Sequence, residues 1–593
     1  MVQRGRDDMN KSNSQNAVFK IFFYIGKGKA ICIVIVYLLV SLAPSFLLIL
    51  NRNIFDLFSS NFFSFSLISA LLLLYIFIQI SSKGLSLVQK KLMTVISHEV
   101  QVKMQKEVQE KMMRVNYLEL DDANTFDLIQ RVSDNVPSKC ASSVFLVLDV
   151  VSIGVQILTA IVILVDIHFT IPMILAAFMI PYIFLYKRMC FDNYFKEVNQ
   201  GKKHRKNWYL IKMLFDKHFN KELKIYDCFD YLGNKEKCIN EELHLENYVI
   251  AKKYALLSVL LDIVKSFGKA VCMIIAIALI VYKNVGISAF TVLMQAMDSM
   301  QECLMNIFSK IHDFGSLHLA LDDYKKFRNL TDESHATTKI QLNREGPFIE
   351  LKNISFSYPS KEDALKNVNL TIFEGEKIAI VGKNGSGKTT LVNVLLGFYK
   401  PLSGEIKIMQ TKLDDCIEDF RRRTIYIMQN TPQYGLSIED NIKMGKDIVA
   451  PDIIQVLDID KLIDKAPARE YTLLGEENDD QYNISGGEWS KLGIARNAQK
   501  KDAILYIMDE PTAALDPIAE SKIFESFDGI TNCKTTIFIS HRLGMISLAD
   551  RIIVLDNGTI AEQGSHNELM KQKGLYYDMY SEQIQLYERH DTI

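Results

Sequence analysis

Six nearly uncharged apolar runs of about membrane-spanning length occupy the first half of the chain, and they restrict what that half can become. They lie at 31–50, 62–80, 144–165, 169–186, about 256–282 and 287–308. In lipid the backbone must satisfy its own hydrogen bonds, so the expectation is six transmembrane helices. The fifth run is the least uniform, since Asp262, Lys265 and Lys269 interrupt it. Arg4, Arg6, Lys11, Lys20, Lys27 and Lys29 precede the first run, and the long loops after the second and fourth are rich in Lys and Arg. The loops after the first, third and fifth carry only Arg52, nothing, and Lys283. The positive-inside rule then places both termini and both long loops in the cytosol of a multi-pass protein of the cell membrane.

At 593 residues the chain exceeds a single core, and composition divides it into a membrane half followed by a soluble α/β half. A net charge of −2 gives no support for a nucleic-acid partner. The nine cysteines show no paired or metal-type spacing and read as buried small hydrophobes in a reducing compartment. No cleavable signal peptide is visible, because the first apolar run is long enough to span. Residues 1–30 read as a cytosolic segment in which 17–25 can form an amphipathic surface helix, and 31–327 as the six-helix domain. Residues 328–346 read as a linker, and 347–593 as the soluble domain. The two inner loops, of about 60 residues each, exceed what a connection needs, so the helices should project beyond the bilayer and turn at tips near 120–128 and 218–226.

The soluble half contains Gly382-Lys383-Asn384-Gly385-Ser386-Gly387-Lys388-Thr389 between a short apolar strand and a helix. Glycines there let backbone N–H groups and a helix N-terminus close on nucleotide phosphates. Lys388 would reach the outer phosphates, and Thr389 would be a ligand of Mg2+, with Thr390 beside it. The strand 503–509 ends in Asp509 and Glu510. Asp509 would hold Mg2+ and Glu510 would orient and deprotonate the attacking water. A second candidate anion site, Ser485-Gly486-Gly487, opens another helix; one chain has no use for two such sites around a single γ-phosphate.

The order of P-loop, Gln429 at a strand end, Ile484-Ser485-Gly486-Gly487-Glu488, Met508-Asp509-Glu510, Ala514-Leu515-Asp516 and His541 resembles that of ABC exporters over nearly the whole length. The resemblance implies a multidomain fold: an all-α six-helix transmembrane domain of the type I ABC exporter kind, followed by an α/β P-loop ABC ATPase domain. It further implies ATP and Mg2+ as cofactors. Tyr358 would stack on adenine, although it could also be a plain strand aromatic. Gln429 would sense Mg2+ and the membrane domain, His541 would touch the γ-phosphate, and Asp516 would lie in the dimer-interface D-loop. In the family two cassettes close head to tail, so Ser485, Gly486 and Gly487 would act in trans; since every catalytic position is intact here, a second identical chain is expected over a heterodimer with one degenerate partner. Ile484 and Glu488 depart from the commoner Leu and Gln. The two loop tips would be coupling helices. A non-transporting ATPase of nucleic acid or ribosomes is argued against by the six runs, and a membrane sensor by Glu510.

On the sixth run Gln295, Asp298, Glu302 and Asn306 share one helical face. Such groups either line a cargo path or pair with Lys265 and Lys269 across helices. Residues 115–132, 207–224 and Ser485 to Arg496, with Trp489, are similar to exporters of lantibiotics and related modified peptides. This resemblance implies an ATP-driven exporter of a ribosomally made, lanthionine-containing peptide, with a peptide-modifying enzyme as a possible further partner. A multidrug or lipid exporter for small amphipathic cargo is the alternative. Only about 30 residues precede the first run, which leaves no room there for the leader-removing protease of some such exporters.

Overall fold

The computed structural model describes all residues except 1–26, 60–64, 284–286, 334–335, 337, 341–345, 359–362, 446–450, 476–479, 501, 511–533, 541–545, 547 and 591–593. The expected amphipathic helix at 17–25, Asp516 and His541 therefore lie outside the described residues. Contacts divide the chain into two units. One runs to Arg114 and from Ala123 to Leu330; the other takes Val115–Asp122 and everything from Thr331.

The first unit is built from long helices: α1 Lys27–Ser59, α2 Phe65–Met112, α4 Ala123–Ile167, α5 Thr170–Phe215, α6 Lys217–Ile225, α7 Phe229–Lys283 and α8 Ile287–Arg328. The short helix α3, Tyr117–Leu120, belongs to the second unit. Within the described residues the six apolar runs fall on these helices, Phe169 standing at the N-cap of α5. Among the described residues, Gly28–Phe55, Phe65–Met112 and Asn124–Asp166 are long and apolar enough by composition to cross a membrane. The remaining runs lie on α5, α7 and α8. α1 packs along α2, α4 along α8 and α5 along α7. Leu164, Ile171, Leu175, Leu293 and Met297 are buried at the centre of one cluster. Leu73, Phe77 and Ile80 on α2, by contrast, are exposed on the unit's surface, as lipid-facing side chains should be. Helical periodicity continues past the second apolar run because the sequence there is rich in good helix formers and holds no proline, so α2 runs from Phe65 to Met112 across Gly84.

The first turn-round falls earlier than 120–128. Asn116 caps α3, its side chain accepting from Leu118 N at 3.0 Å, and α4 has already begun at Ala123. The second tip is α6, Lys217–Ile225, close to the expected 218–226. Of the seven cysteines described, four are buried as expected, but Cys32 and Cys238 are exposed.

The second unit contains two sheets. Strands β1 Ile349–Ser357, β2 Asp363–Ile372, β4 Ser403–Ile408 and β5 Thr411–Lys412 form an antiparallel sheet in the order β2-β1-β4-β5. Strands β3 Lys377–Val381, β6 Thr424–Ile427, β7 Leu505–Asp509, β8 Thr535–Ile539, β9 Arg551–Asp556 and β10 Thr559–Gly564 form the other, in the order β10-β9-β3-β8-β7-β6. In that second sheet β3, β6, β7, β8 and β9 run parallel, which explains why they read as continuous apolar runs: both faces are covered. All five residues of β7 and of β8 are buried.

Candidate functional site

The site forms where the parallel strands end. β3 runs into the P-loop and then into helix α9, Lys388–Leu395, whose N-cap is Gly387. The turn needs glycine. At Gly382, with φ +154°, a Cβ would lie 2.2 Å from the Leu555 carbonyl oxygen. At Gly387, with φ +104°, it would lie 2.8 Å from that of Ala364. A cavity of about 480 Å3 opens here, lined by Tyr358, Asn384, Gly385, Gly387, Lys388, Thr389, Thr390, Gln429, Asp509 and Glu510, and also by Asp363, Ala364 and Ile539. Nearly every position expected to act in cis on a nucleotide thus meets around one space. The last three residues were not anticipated; Asp363 is an ordinary strand-start residue whose place only the tertiary fold reveals.

Within the cradle, Lys388 is buried and its Nζ donates to the carbonyls of Gly382, at 2.7 Å, and Lys383, at 3.1 Å. Burial pushes its ammonium below the ordinary lysine range, against the pull of Glu510 and Asp509. Ser386 Oγ is buried with no hydrogen-bond partner. A buried, unmatched hydroxyl in the same loop as a desolvated cation fits an incoming phosphate, which would give Ser386 a partner and Lys388 a counter-charge. The P-loop therefore fits ATP.

On the opposite wall Thr389 Oγ1 donates to Asp509 Oδ2 at 3.4 Å. Burial, reinforced by Glu510, raises the Asp509 carboxyl above its usual range, while Thr389, Lys388 and Tyr426 act against this. A hydroxyl, a carboxylate and the nearby Gln429 amide make an all-oxygen donor set of the sort that Mg2+ takes together with phosphate oxygens. Among the described residues no group of three or more His, Cys, Asp or Glu could hold a metal. Glu510 sits just past β7 with φ +44°, its N–H donating to the Ile539 carbonyl at 3.0 Å. Gln429 Nε2 donates to Glu510 Oε2 at 2.9 Å. Backbone in this sparsely populated region, at a strand end beside a cavity, is the kind that clusters at ligand sites.

Tyr358 is half-buried. Its hydroxyl lies 3.1 Å from Thr390 Oγ1, and its ring meets Phe356 and Tyr399 edge-on, with centroids 5.1 and 5.6 Å away.

Ser485, Gly486 and Gly487 do not line this cavity. They open the helix Gly486–Ala498, with Ser485 and Gly486 exposed. Ser485 and Glu488 form a capping box: Glu488 Oε2 accepts from Ser485 N and from Ser485 Oγ, each at 2.8 Å. Glu488 therefore has a structural task that glutamine would also perform. Ile484 is buried in the core beside this helix, where one branched aliphatic replaces another.

Two residues of the α8 face, Gln295 and Asp298, have partners on other helices. Lys269 pairs with Asp298, Asn51 Nδ2 donates to Gln295 Oε1 at 3.0 Å, and Lys265 bonds Asp262 on its own helix at 2.9 Å. Lys310 bonds Asp149 at 2.8 Å. Gln295, Asp298, Glu302 and Asn306 are nonetheless all exposed in the single chain.

Residues 365–513 match the ABC transporter family. The chain is similar to the subtilin transport ATP-binding protein of Bacillus subtilis, 28% identical over 80% of this chain and 79% of that protein. It is similar to the nisin transport ATP-binding protein of Lactococcus lactis, 26% identical over 96% of each chain. Its fold matches the structure of a bacterial Atm1-family ABC exporter with ATP bound, with a TM-score of 0.75 and 20% identity, covering 96% of this chain and 99% of that one. The expected fold class is therefore present, and the chain belongs to the ABC transporters: an exporter that joins a helical membrane domain to one ATP-hydrolysing ABC domain.

Proposed function

We propose that the exporter moves a ribosomally made, lanthionine-containing peptide out of the cytosol across the cell membrane, working as a dimer of two identical chains. The observation that carries the cargo reading is similarity to the subtilin and nisin transport proteins along the membrane half as well as the ATPase half. In this scheme the nucleotide sits in the cavity with its phosphates on Gly382 to Thr389 and its base on Tyr358. Thr389, Asp509 and Gln429 would hold Mg2+, which when bound would neutralise developing phosphate charge. Glu510, steadied by Gln429, takes the proton of the attacking water. Ser485, Gly486 and Gly487, which do not line their own chain's cavity, serve the partner's ATP. His541 and Asp516 take the switch and interface roles. Both termini and the ATPase domain are cytosolic. The exposed stripe of Gln295, Asp298, Glu302 and Asn306 faces a water-filled path, since polar groups in a span need water or protein beside them.

The test is the ATPase rate of purified protein in lipid nanodiscs with a modified leader-bearing peptide, the same peptide without its leader, and a panel of amphipathic drugs and lipids. Selective stimulation by modified peptide is expected, and the leader comparison shows which part is read. Stimulation by drugs or lipids alone overturns the peptide reading in favour of a multidrug or lipid exporter.

A further inference from the structure

Between the nucleotide cavity and the tip of the first long loop lies a chain of side-chain contacts, two hydrogen bonds joined by an edge-on ring contact, that ATP hydrolysis does not require. Tyr399 follows the P-loop helix and is buried, its ring stacked on Phe356 with centroids 5.1 Å apart and planes 6° from parallel. An apolar ring would fill that space as well. Instead its hydroxyl donates to Asp121 Oδ2 at 2.8 Å, on the far side of α3. Burial, then the bond to Asp121 and the neighbouring Tyr358, push the Tyr399 hydroxyl well above the tyrosine range, so it remains a donor. Tyr358 in turn meets Tyr399 edge-on and reaches Thr390, next to the Thr389 that faces Asp509. The tip itself is bound firmly into this unit. Asn116 N donates to the Thr331 carbonyl at 2.9 Å, and the Tyr117 ring lies 5.4 Å from Phe398 and 6.0 Å from Tyr399.

We propose that Asp121 and Tyr399 are positioning residues for the nucleobase: through the chain Asp121, Tyr399, Tyr358, Thr390 they hold the Tyr358 ring in its stacking orientation, so that the loop tip senses whether a purine is bound. This rests on the reading that Tyr358 stacks on the base. A ring held in place before binding loses less freedom when the base arrives, so the chain strengthens base binding and leaves phosphate binding alone. Linkage makes the effect reciprocal: a base that fixes Tyr358 tightens the Tyr399 bond to Asp121 by the same factor. The chain continues from Asp121 directly into α4, so the sensed state is delivered to a membrane helix by covalent connection.

The test measures affinities of the full-length protein for ATP and for inorganic tripolyphosphate, by displacement of a fluorescent ATP analogue. Tyr399→Phe keeps the ring against Phe356 and deletes one hydroxyl. It should weaken ATP about 3- to 10-fold, as loss of a hydrogen bond to a charged group does, with tripolyphosphate within about twofold. Asp121→Ala should do the same, and Asp121→Asn, which keeps an acceptor oxygen, should restore ATP to within about twofold of the parent. Equal weakening of both ligands, or no change in either, overturns the proposal. Tyr358→Leu separates the two layers. If it leaves the preference for ATP over tripolyphosphate intact, the stacking reading fails and the sensor with it. If it abolishes that preference while Tyr399→Phe does not, the sensor alone fails.

Discussion

Glu510 and Asp509 are adjacent in sequence yet face different tasks, and the backbone separates them. Asp509 is the last residue of a buried strand, whereas Glu510 turns into the left-handed region and meets Gln429. Glu510→Gln keeps shape and hydrogen bonding but removes the base. It should bind ATP normally while hydrolysis falls about 10²- to 10⁴-fold, read from single-turnover rates beside equilibrium binding. Full turnover would remove Glu510 from its role. Gly382→Ala tests the cradle differently: the added methyl would collide with the Leu555 carbonyl in a conformation alanine disfavours. A destabilisation of about 1–3 kcal/mol is expected, seen as a lowered thermal midpoint with or without ATP. These residues were legible in the sequence because the P-loop and the strand-end acids are short and local. Tyr399 and Asp121 were not, since 278 residues separate them and each is unremarkable alone.

The long helices were readable because lipid-length apolar runs and helix formers follow one another without a break. What the sequence left open was the α8 face, where a cargo path and cross-helix pairing fit the same spacing. The structure contains elements of both: Asp298 is paired with Lys269, yet the stripe is exposed. The double variant Asp298→Asn with Glu302→Gln should reduce transport of cationic cargo several-fold in a vesicle uptake assay with basal ATPase preserved. Loss of fold, seen as a lowered thermal midpoint together with lost ATPase, would instead assign the face to pairing. The position of the first tip was missed by a few residues because capping by Asn116 outweighs the weak local pattern around Thr125.

At the scale of the whole molecule, the proposed dimer gives Ser485, Gly486 and Gly487 their place, on the ATP of a second chain. Lys388→Ala and Ser485→Arg should each abolish ATPase alone, yet mixed dimers carry one intact pair of half-sites. Reconstituting the two variants together should restore about a quarter of the parental rate by counting sites; no recovery would argue against trans sites. The membrane and ATPase halves were evident from composition, but not that Val115–Asp122 joins the fold of the second unit. That placement has a consequence for synthesis. Asp121 leaves the ribosome 278 residues before Tyr399, an interval of about 15–60 s at ordinary elongation rates. For that time the tip must stay exposed and unpaired while later helices insert, and the ATPase domain finishes folding only by capturing a segment made long before it. A damaged tip should therefore reveal itself first as protein degraded before maturation, in pulse-chase labelling, and only secondarily as slow transport.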